Sequence, residues 1–393
     1  MQFTALAVAS CLLSGAAAQS LDQVLAKRDS FSLLRDLLHQ HSLVDELAST
    51  ANATFFAMTN KALYSLANFG INLTTADPNI ARAIFKYAQL DTIYTTDTVK
   101  ALHHEAKVVQ TALQPPLFNN VTRGQAAKLR SNRTGGENGI LVESGLGVLT
   151  PVVEADIPYD HGVIHAIDAN MVLPHNISET ARLGGMAEFL NLLERSDSVP
   201  RLESLSDVTI FIPQDEALAK LQPILDMLTS EQLKSVVAQH AVPNRVLYQS
   251  LFDGVDTLET LAGSTLRIRR GKRGEIFVNG AEVVRTDLLL YGGVAHLIDG
   301  ALLPEKSEYL YLTFLCTSTA NKAADASACT TNLFAAAAGS SSRVWTILAN
   351  HPLTLLAVLA VALVSLLYRV HQSRRQTRQL IRLSDGLGKY EKV

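Results

Sequence analysis

The sequence predicts a protein built twice from one mixed unit of strands and helices, followed by a single membrane-spanning helix. Three observations predict it. A late stretch, Gly293-Val294-Ala295-His296-Leu297-Ile298-Asp299, has a twin upstream at Gly162-Val163-Ile164-His165-Ala166-Ile167-Asp168. An earlier stretch, Thr209-Ile210-Phe211-Ile212-Pro213-Gln214-Asp215-Glu216-Ala217-Leu218, lines up with Thr54-Phe55-Phe56-Ala57-Met58-Thr59-Asn60-Lys61-Ala62-Leu63. An apolar run beginning near Pro352 is long enough to cross a bilayer. Both copies keep the two stretches in the same order, as a duplicated unit does.

Each early stretch reads as a short apolar strand breaking into a polar turn. Asn60 or Asp215 would then cap a helix starting at Lys61 or Glu216. Each late stretch reads as a closing strand. This pairing of blocks resembles the fasciclin (FAS1) domain, over residues 19–175 and again over residues 176–305. The resemblance implies an α+β fold: two tandem fasciclin-like domains, each a β-sandwich-like wedge with packed helices. It also implies an adhesion or matrix and cell-wall interaction module. The family carries a Tyr-His pair between its two blocks. Here the first copy has Tyr87-Ala88 and the second Gln239-His240, so each keeps one half. Surfaces near both blocks bind partners in the family, which carries over to Asn60, Asp215, His296 and Asp299 as binding residues.

In chain order, apolar residues at Leu21, Val24, Leu25, Leu33, Leu34, Leu37 and Leu38 form a helical stripe over 21–47 that breaks near Asp29-Ser30. Lys27-Arg28 beside it reads as a solvated helix face and not as a processing site. The first unit continues through the strand–turn–helix of 54–66, an Asp77-Pro78 turn, a helix over 79–90 and a segment over 99–113. A polar stretch with Gly and Asn, 115–139, reads as a surface loop. Strands follow near 140–142, 148–153 and 162–167. In the second unit, helices are expected near 186–195, 216–228 and 230–239, and strands near 208–212, 265–270, 276–278 and 294–298. Arg269-Arg270-Gly271-Lys272-Arg273-Gly274 reads as a hairpin turn. Its basic tip is expected to be solvated, the alternative being a contact for acidic glycans or lipid headgroups.

The flanks say where the protein works. Residues 1–18 read as a signal peptide cleaved after Ala18. Glycosylation sequons stand at Asn52, Asn72, Asn120, Asn132 and Asn176, with Asn120 and Asn132 the preferred acceptors because they fall in the expected loop. Cys316 and Cys329 are the even pair of the mature chain, and a disulfide is the default in an oxidising compartment, the alternative being two free thiols. Residues 306–343 form a linker and 344–370 a transmembrane helix. A helix from about 352 to 370 would be roughly 28 Å long. Arg369, Arg374, Arg375, Arg378 and Arg382 place the tail, 371–393, in the cytosol. The expectation is a single-pass type I protein of the cell surface or of a vacuolar or endosomal membrane, its domains extracellular or luminal. A lipid-anchor signal would end at its hydrophobic tail, and here charged residues follow. The last four residues, Tyr390-Glu391-Lys392-Val393, are similar to an endosomal sorting signal.

No arrangement in the chain points to catalysis. A net charge of −3 gives no bulk attraction to nucleic acid. There is no Gly-x-Ser-x-Gly elbow and no phosphate-binding Gly-x-x-x-x-Gly-Lys-Ser/Thr loop. His103-His104-Glu105 lacks the second histidine of a zinc helix, His39 and His41 point apart on a helix, and Gly145-x-Gly147 lacks its third glycine. His165/Asp168 and His296/Asp299 sit three apart on a strand and so face opposite sides. Each His is expected to pack with a hydrogen-bonded ring, and each Asp to tie a turn. No cofactor, metal or enzymatic activity is expected, and the expected partners are the membrane and cell-surface or matrix and wall proteins or glycans.

Overall fold

The duplicated stretches become neighbouring parallel strands at the centre of two matching sheets. The computed structural model describes residues 19–68, 71–102, 106–131 and 139–303. The expected signal peptide, linker, span and tail, with Asn132, Cys316 and Cys329, lie outside the described residues. Among the described residues no helix is long and apolar enough to cross a membrane. The described residues belong to one compact unit.

The strands of the first module are β1 (Ala53–Met58), β2 (Gln89–Leu90), β3 (Lys107–Gln110), β4 (Ala126–Ser131), β5 (Ile140–Glu143), β6 (Leu149–Tyr159) and β7 (Gly162–Ile167). Those of the second are β8 (Val208–Pro213), β9 (Ala241–Val242), β10 (Thr257–Glu259), β11 (Thr265–Arg270), β12 (Ile276–Val278), β13 (Ala281–Leu290) and β14 (Gly293–Ile298). The first sheet runs β2-β1-β7-β6-β5-β4-β3, and the second, read in the same direction, β9-β8-β14-β13-β12-β11-β10. One order is the other shifted by seven strands, so the repeat extends well beyond the two blocks that reveal it.

β1 and β8 are buried along their whole length, as parallel central strands are, which explains their unbroken apolar sequences. Their pairing register is also duplicated: Phe56 stands opposite His165, and Phe211 opposite His296. Gly162 and Gly293 open β7 and β14 because no side chain fits there. An added Cβ would lie 1.9 Å from the Ala53 carbonyl oxygen in one copy and 1.9 Å from that of Val208 in the other.

β6 and β13 each join two halves of a sheet. β6 pairs with β5 through Leu149–Pro151 and with β7 further along; β13 does the same with β12 and β14. Each bends at a bulge whose residue, Asp156 or Asp287, has a left-handed backbone, φ 57° and 56°. In the second module Phe211 and Ile298 of one half share a buried cluster with Leu266, Ile268, Ile276 and Val278 of the other. That is the layered packing expected of the α+β class.

Helices enclose the sheets. The expected 21–47 stripe appears as Leu21–Ala26, a 3-10 turn at Asp29–Phe31, then Ser32–Gln40 and Val44–Ala48. Ser20 and Gln23 form a capping box at its start. The second module carries Ile177–Leu183, Ala187–Arg195, Val199–Glu203, Asp215–Leu225 and Ser230–Gln239.

Two expectations need correction. The stretch 115–139 is not simply a surface loop, because it contains β4, whose first four residues are buried. Lys128 and Arg130 gave β4 a polar look, and Glu143 on β5 neutralises both. The ten-residue β13 was not expected at all. Its bulge and its charges at Glu282, Arg285 and Asp287 break the alternation that marks a strand.

Candidate functional site

In each copy, one residue from either block clamps the same loop residue. Thr54 Oγ1 donates to Thr92 O at 2.8 Å and accepts from Tyr94 N at 2.8 Å. His165 Nε2 meets the carbonyl oxygen of that same Tyr94 at 2.7 Å. In the second copy Thr209 Oγ1 donates to Arg245 O at 2.7 Å and accepts from Leu247 N at 2.9 Å, while His296 Nε2 meets Leu247 O at 2.8 Å. The other ring nitrogen is used in the same way in both copies. His165 Nδ1 accepts from Asp156 N at 3.2 Å, and His296 Nδ1 from Asp287 N at 3.3 Å. Each imidazole therefore ties the bulge of one strand to the loop beyond another. With Nδ1 accepting a backbone N–H, the ring is neutral with its proton on Nε2. Burial pushes the pKa of both rings down, because the cation would be desolvated and would lose that acceptor.

The residues carried over from the resemblance have visible structural duties. Asn60 and Asp215 do cap helices, but neighbouring ones. Asn60 Oδ1 accepts from Leu33 N at 3.0 Å, at the start of Ser32–Gln40. Asp215 accepts from Ala187 N and Glu188 N, both at 3.1 Å, at the start of Ala187–Arg195. Neither of those helices has a side-chain cap from its own N-cap residue. The cap on Asn60–Asn68 comes from Thr59, whose Oγ1 accepts from Ala62 N at 3.4 Å. His296 is 0% exposed, so its ring supports a surface and does not form one.

The two aspartates tie turns with different partners. Asp168 accepts from Thr59 Oγ1 at 2.7 Å and pairs with Lys61 at 3.1 Å. In the second copy Gln214 and Glu216 occupy the places of Thr59 and Lys61, and Glu216 would repel Asp299. Asp299 turns instead to Glu282 N at 2.6 Å, on β13, and stays exposed. The divided Tyr-His pair is buried in both copies. Tyr87 donates to Ala126 O at 3.0 Å. His240 Nδ1 meets Val236 O at 2.8 Å, and its Nε2 accepts from Leu302 N at 2.8 Å. Complete burial pushes the His240 pKa down to about 4. Among the described residues no cluster of three or more His, Cys, Asp or Glu is placed to hold a metal.

The joint between the modules is the largest polar feature that sequence reasoning missed. Lys128, on β4, is 1% exposed. Its ammonium meets Glu143 at 2.6 Å and donates across the joint to Asp287 O at 2.9 Å. Arg130 meets the other oxygen of Glu143 at 2.6 Å. Burial pulls the Lys128 pKa down, opposed by the attraction of Glu143. Gln125 Nε2 donates to Leu290 O at 3.1 Å, and Asn120 N to Tyr291 O at 2.8 Å. Thr122 N and Oγ1 both donate to the Asp207 carboxylate. Gly147, at φ 71°, lies where a Cβ would meet Arg285 Nη2 at 2.0 Å.

The joint also engages Asn120, one of the two preferred glycan acceptors. Its Nδ2, the atom a glycan would take, donates to Leu205 O at 3.0 Å, and the hydroxyl of its sequon threonine is held by Asp207. Asn52 and Asn72 are exposed. Asn176 caps Ile177–Leu183 through its oxygen, accepting from Glu179 N at 2.9 Å.

Comparison with known proteins adds four findings. The fasciclin domain family matches residues 29–174 and 184–304. The fasciclin-like arabinogalactan protein CTB11 of Cercospora beticola is 86% identical over 393 residues, 100% of both chains. The fasciclin-like arabinogalactan protein elcF of Phaeosphaeria nodorum is 40% identical over 292 residues, 74% of this chain and 91% of that one. Among solved structures, a FAS1 domain pair from the insect cell adhesion molecule Fasciclin I covers 70% of this chain and 98% of its own, at 20% identity and a TM-score of 0.35.

Proposed function

The chain belongs to the fasciclin domain family, and we propose that it is a non-enzymatic, membrane-anchored glycoprotein whose two tandem domains mediate adhesion or contact with an extracellular matrix or cell wall. The observation that carries this reading is the use made of the buried histidines. His165, His240 and His296 each have both ring nitrogens engaged by backbone groups, which fits a scaffold and leaves no ring free for proton transfer. The names of the two relatives, both arabinogalactan proteins, support a wall or matrix setting. In this reading residues 1–18 direct secretion, 344–370 span the membrane, and Cys316 and Cys329 pair within the linker. Glycans sit on Asn52 and Asn72, with Asn176 and Asn132 as further acceptors. Of the residues near the signature blocks, Asp299 is the direct contact, while Asn60, Asp215 and His296 hold the surfaces around it.

The test is imaging of the tagged full-length chain, with and without residues 390–393. Signal at the cell periphery, together with cell aggregation or wall retention lost on deletion of the gene, is the expected result. Signal confined to an internal organelle refutes adhesion and favours a structural or trafficking role at a vacuolar or endosomal membrane. The Tyr390-Glu391-Lys392-Val393 tail is the feature favouring that second reading. Truncation without effect on location removes its support.

A further inference from the structure

The β4–β5 hairpin of the first module and the β11–β12 hairpin of the second are equivalent, and only one of them is covered. Leu129 pairs with Val142 as Ile268 pairs with Val278, and Ser131 with Ile140 as Arg270 with Ile276. This register sets Arg267 in the place of Lys128, Arg269 in that of Arg130, and Phe277 in that of Leu141. The residue in the place of Glu143 is Asn279. In the first module the two cations share Glu143 under the cover of the second module. In the second module Arg267 and Arg269 are exposed, and the acid that would neutralise them is an amide.

Charge on this hairpin is correspondingly unbalanced. Arg267, Arg269, Arg270, Lys272 and Arg273 stand against one acid in the same stretch, Glu275. Glu275 is committed to the turn, where its Oε2 accepts from Arg273 N at 3.0 Å. Arg270 pairs with Asp253, and Arg269 Nη2 donates to Asn279 O at 2.8 Å. Among the described residues, Arg267, Lys272 and Arg273 pair with no carboxylate. Inward-facing Leu266 and Ile268 fix the strand, so Arg267 and Arg269 project together on the outer face, about 7 Å apart. Phe277 lies opposite Arg269 and is only half-buried. The ring comes close to Gly271 at Cε2, which would lie 3.1 Å from a Cβ added there. Glu282, opposite Phe277 on β13, bounds the patch on its far side.

We propose that the outer face of the β11–β12 hairpin binds an acidic polysaccharide, with Arg267, Arg269, Lys272 and Arg273 pairing its carboxylates and Phe277 lying under a sugar ring. A second copy of the chain is a poor occupant. The surface that covers the equivalent hairpin is β13 with Asp287, and each chain already uses its own. An anionic membrane fits less well on two grounds. The half-buried ring beside the guanidinium offers a sugar an apolar surface that a headgroup does not need. The proposed extracellular or luminal position, on which this step rests, also faces away from the anionic cytoplasmic leaflet.

The experiment is binding of the purified, detergent-solubilised full-length chain to immobilised polygalacturonate, with dextran as the neutral control and phosphatidylserine vesicles as the competing surface. The expected result is at least tenfold preference for polygalacturonate over dextran, weakened by salt. R267Q/R269Q/K272Q/R273Q should lose about tenfold or more with an unchanged melting temperature, since all four side chains are exposed. A second variant, F277A, should weaken the residual binding in high salt, where charge is screened. Wild-type binding no better than to dextran, or undiminished binding by the quadruple variant, overturns the proposal. Tighter, arginine-dependent binding to the vesicles overturns it in favour of a membrane contact. Polygalacturonate binding that fails in a chain still found at the cell periphery overturns this site alone. Binding that succeeds in a chain confined to an organelle supports the site and overturns the adhesion reading.

Discussion

Replacing Gly293 by alanine tests the central strand pairing most sharply. The new Cβ would lie 1.9 Å from Val208 O and 2.8 Å from both Val208 C and N. Contacts closer than 3.0 Å are essentially never adopted by real Cβ atoms, so β14 and β8 must part by more than about 1 Å at that rung. Gly293 opposite Val208 is the first rung of the parallel ladder, and the adjacent bond from Val208 N to Gly292 O is 3.0 Å long. Overpacking of this kind costs ~1–3 kcal/mol. Loosening one ladder hydrogen bond adds ~1 kcal/mol. The total, ~2–4 kcal/mol, corresponds to a fall of roughly 8–16 °C in Tm for a module of this size. Gly162→Ala should repeat the loss in the first module, against Ala53 O. Gly280→Ala is the control, because an added Cβ there meets nothing within 4 Å. Its change should stay within ~0.5 kcal/mol. Thermal melts of the three variants followed by circular dichroism decide the matter. Gly293→Ala melting within about 1 °C of Gly280→Ala would refute the steric reasoning.

Acid should weaken the fold through its buried imidazoles. His165, His240 and His296 all have folded pKa values below the ordinary 6.5, so the unfolded chain takes up protons first as pH falls. Their contribution is full above pH 6.5 and is lost on the way down, with His240 alone losing about 3 kcal/mol by pH 4; denaturant melts across that range should show the decline. Lys128→Met leaves Glu143 with Arg130 as its remaining cation and Asp287 O without its donor, and should cost ~1–3 kcal/mol, read as the melting of the full chain. Asp215→Ala removes two caps from Ala187–Arg195 and should cost ~1 kcal/mol, with Asp215→Asn milder, again by denaturant melt. On the secreted protein, Asn72→Gln should shift electrophoretic mobility by one glycan and Asn120→Gln should not, because the Asn120 amide is held in the joint.

The legible part of the sequence was its repeat and its well-patterned segments. Ser230–Gln239, β11 and β12 stand where apolar spacing placed them, because each buries one regular face. The buried histidines were also legible, since strand alternation separates His296 from Asp299. The caps were half legible. Asn60 and Asp215 were recognised as capping residues, but which helix they serve depends on how elements meet in space. The joint was not legible for the same reason. Lys128 alternates with Ala127 and Leu129 as an outward-facing residue should, and nothing local says that another module covers it. Aligning the two hairpins would have exposed the difference between Glu143 and Asn279, a signal available in the repeat and carried by neither signature block.

The two copies are not interchangeable, and the reason narrows where function can lie. The residues they share are consumed internally: Gly162 and Gly293 by close strand contact, Thr54 and Thr209 by a loop residue, His165 and His296 by that residue and a bulge. A partner touching the surface therefore meets mainly residues in which the copies differ. Three such differences stand out. Lys61 closes a pair with Asp168 in the first copy, whereas Glu216 leaves Asp299 to β13 in the second. The loop carrying Asn120 and Thr122 exists to grip Asp207 and Leu205. Glu143 balances a buried lysine, where Asn279 balances nothing. If the order of modules were reversed, Arg267 and Arg269 would enter the joint with no acid to meet them, a desolvation cost of several kcal/mol. The first module is thus built to be covered and the second to remain open, which places the outward-facing chemistry of the pair on the hairpin of the second.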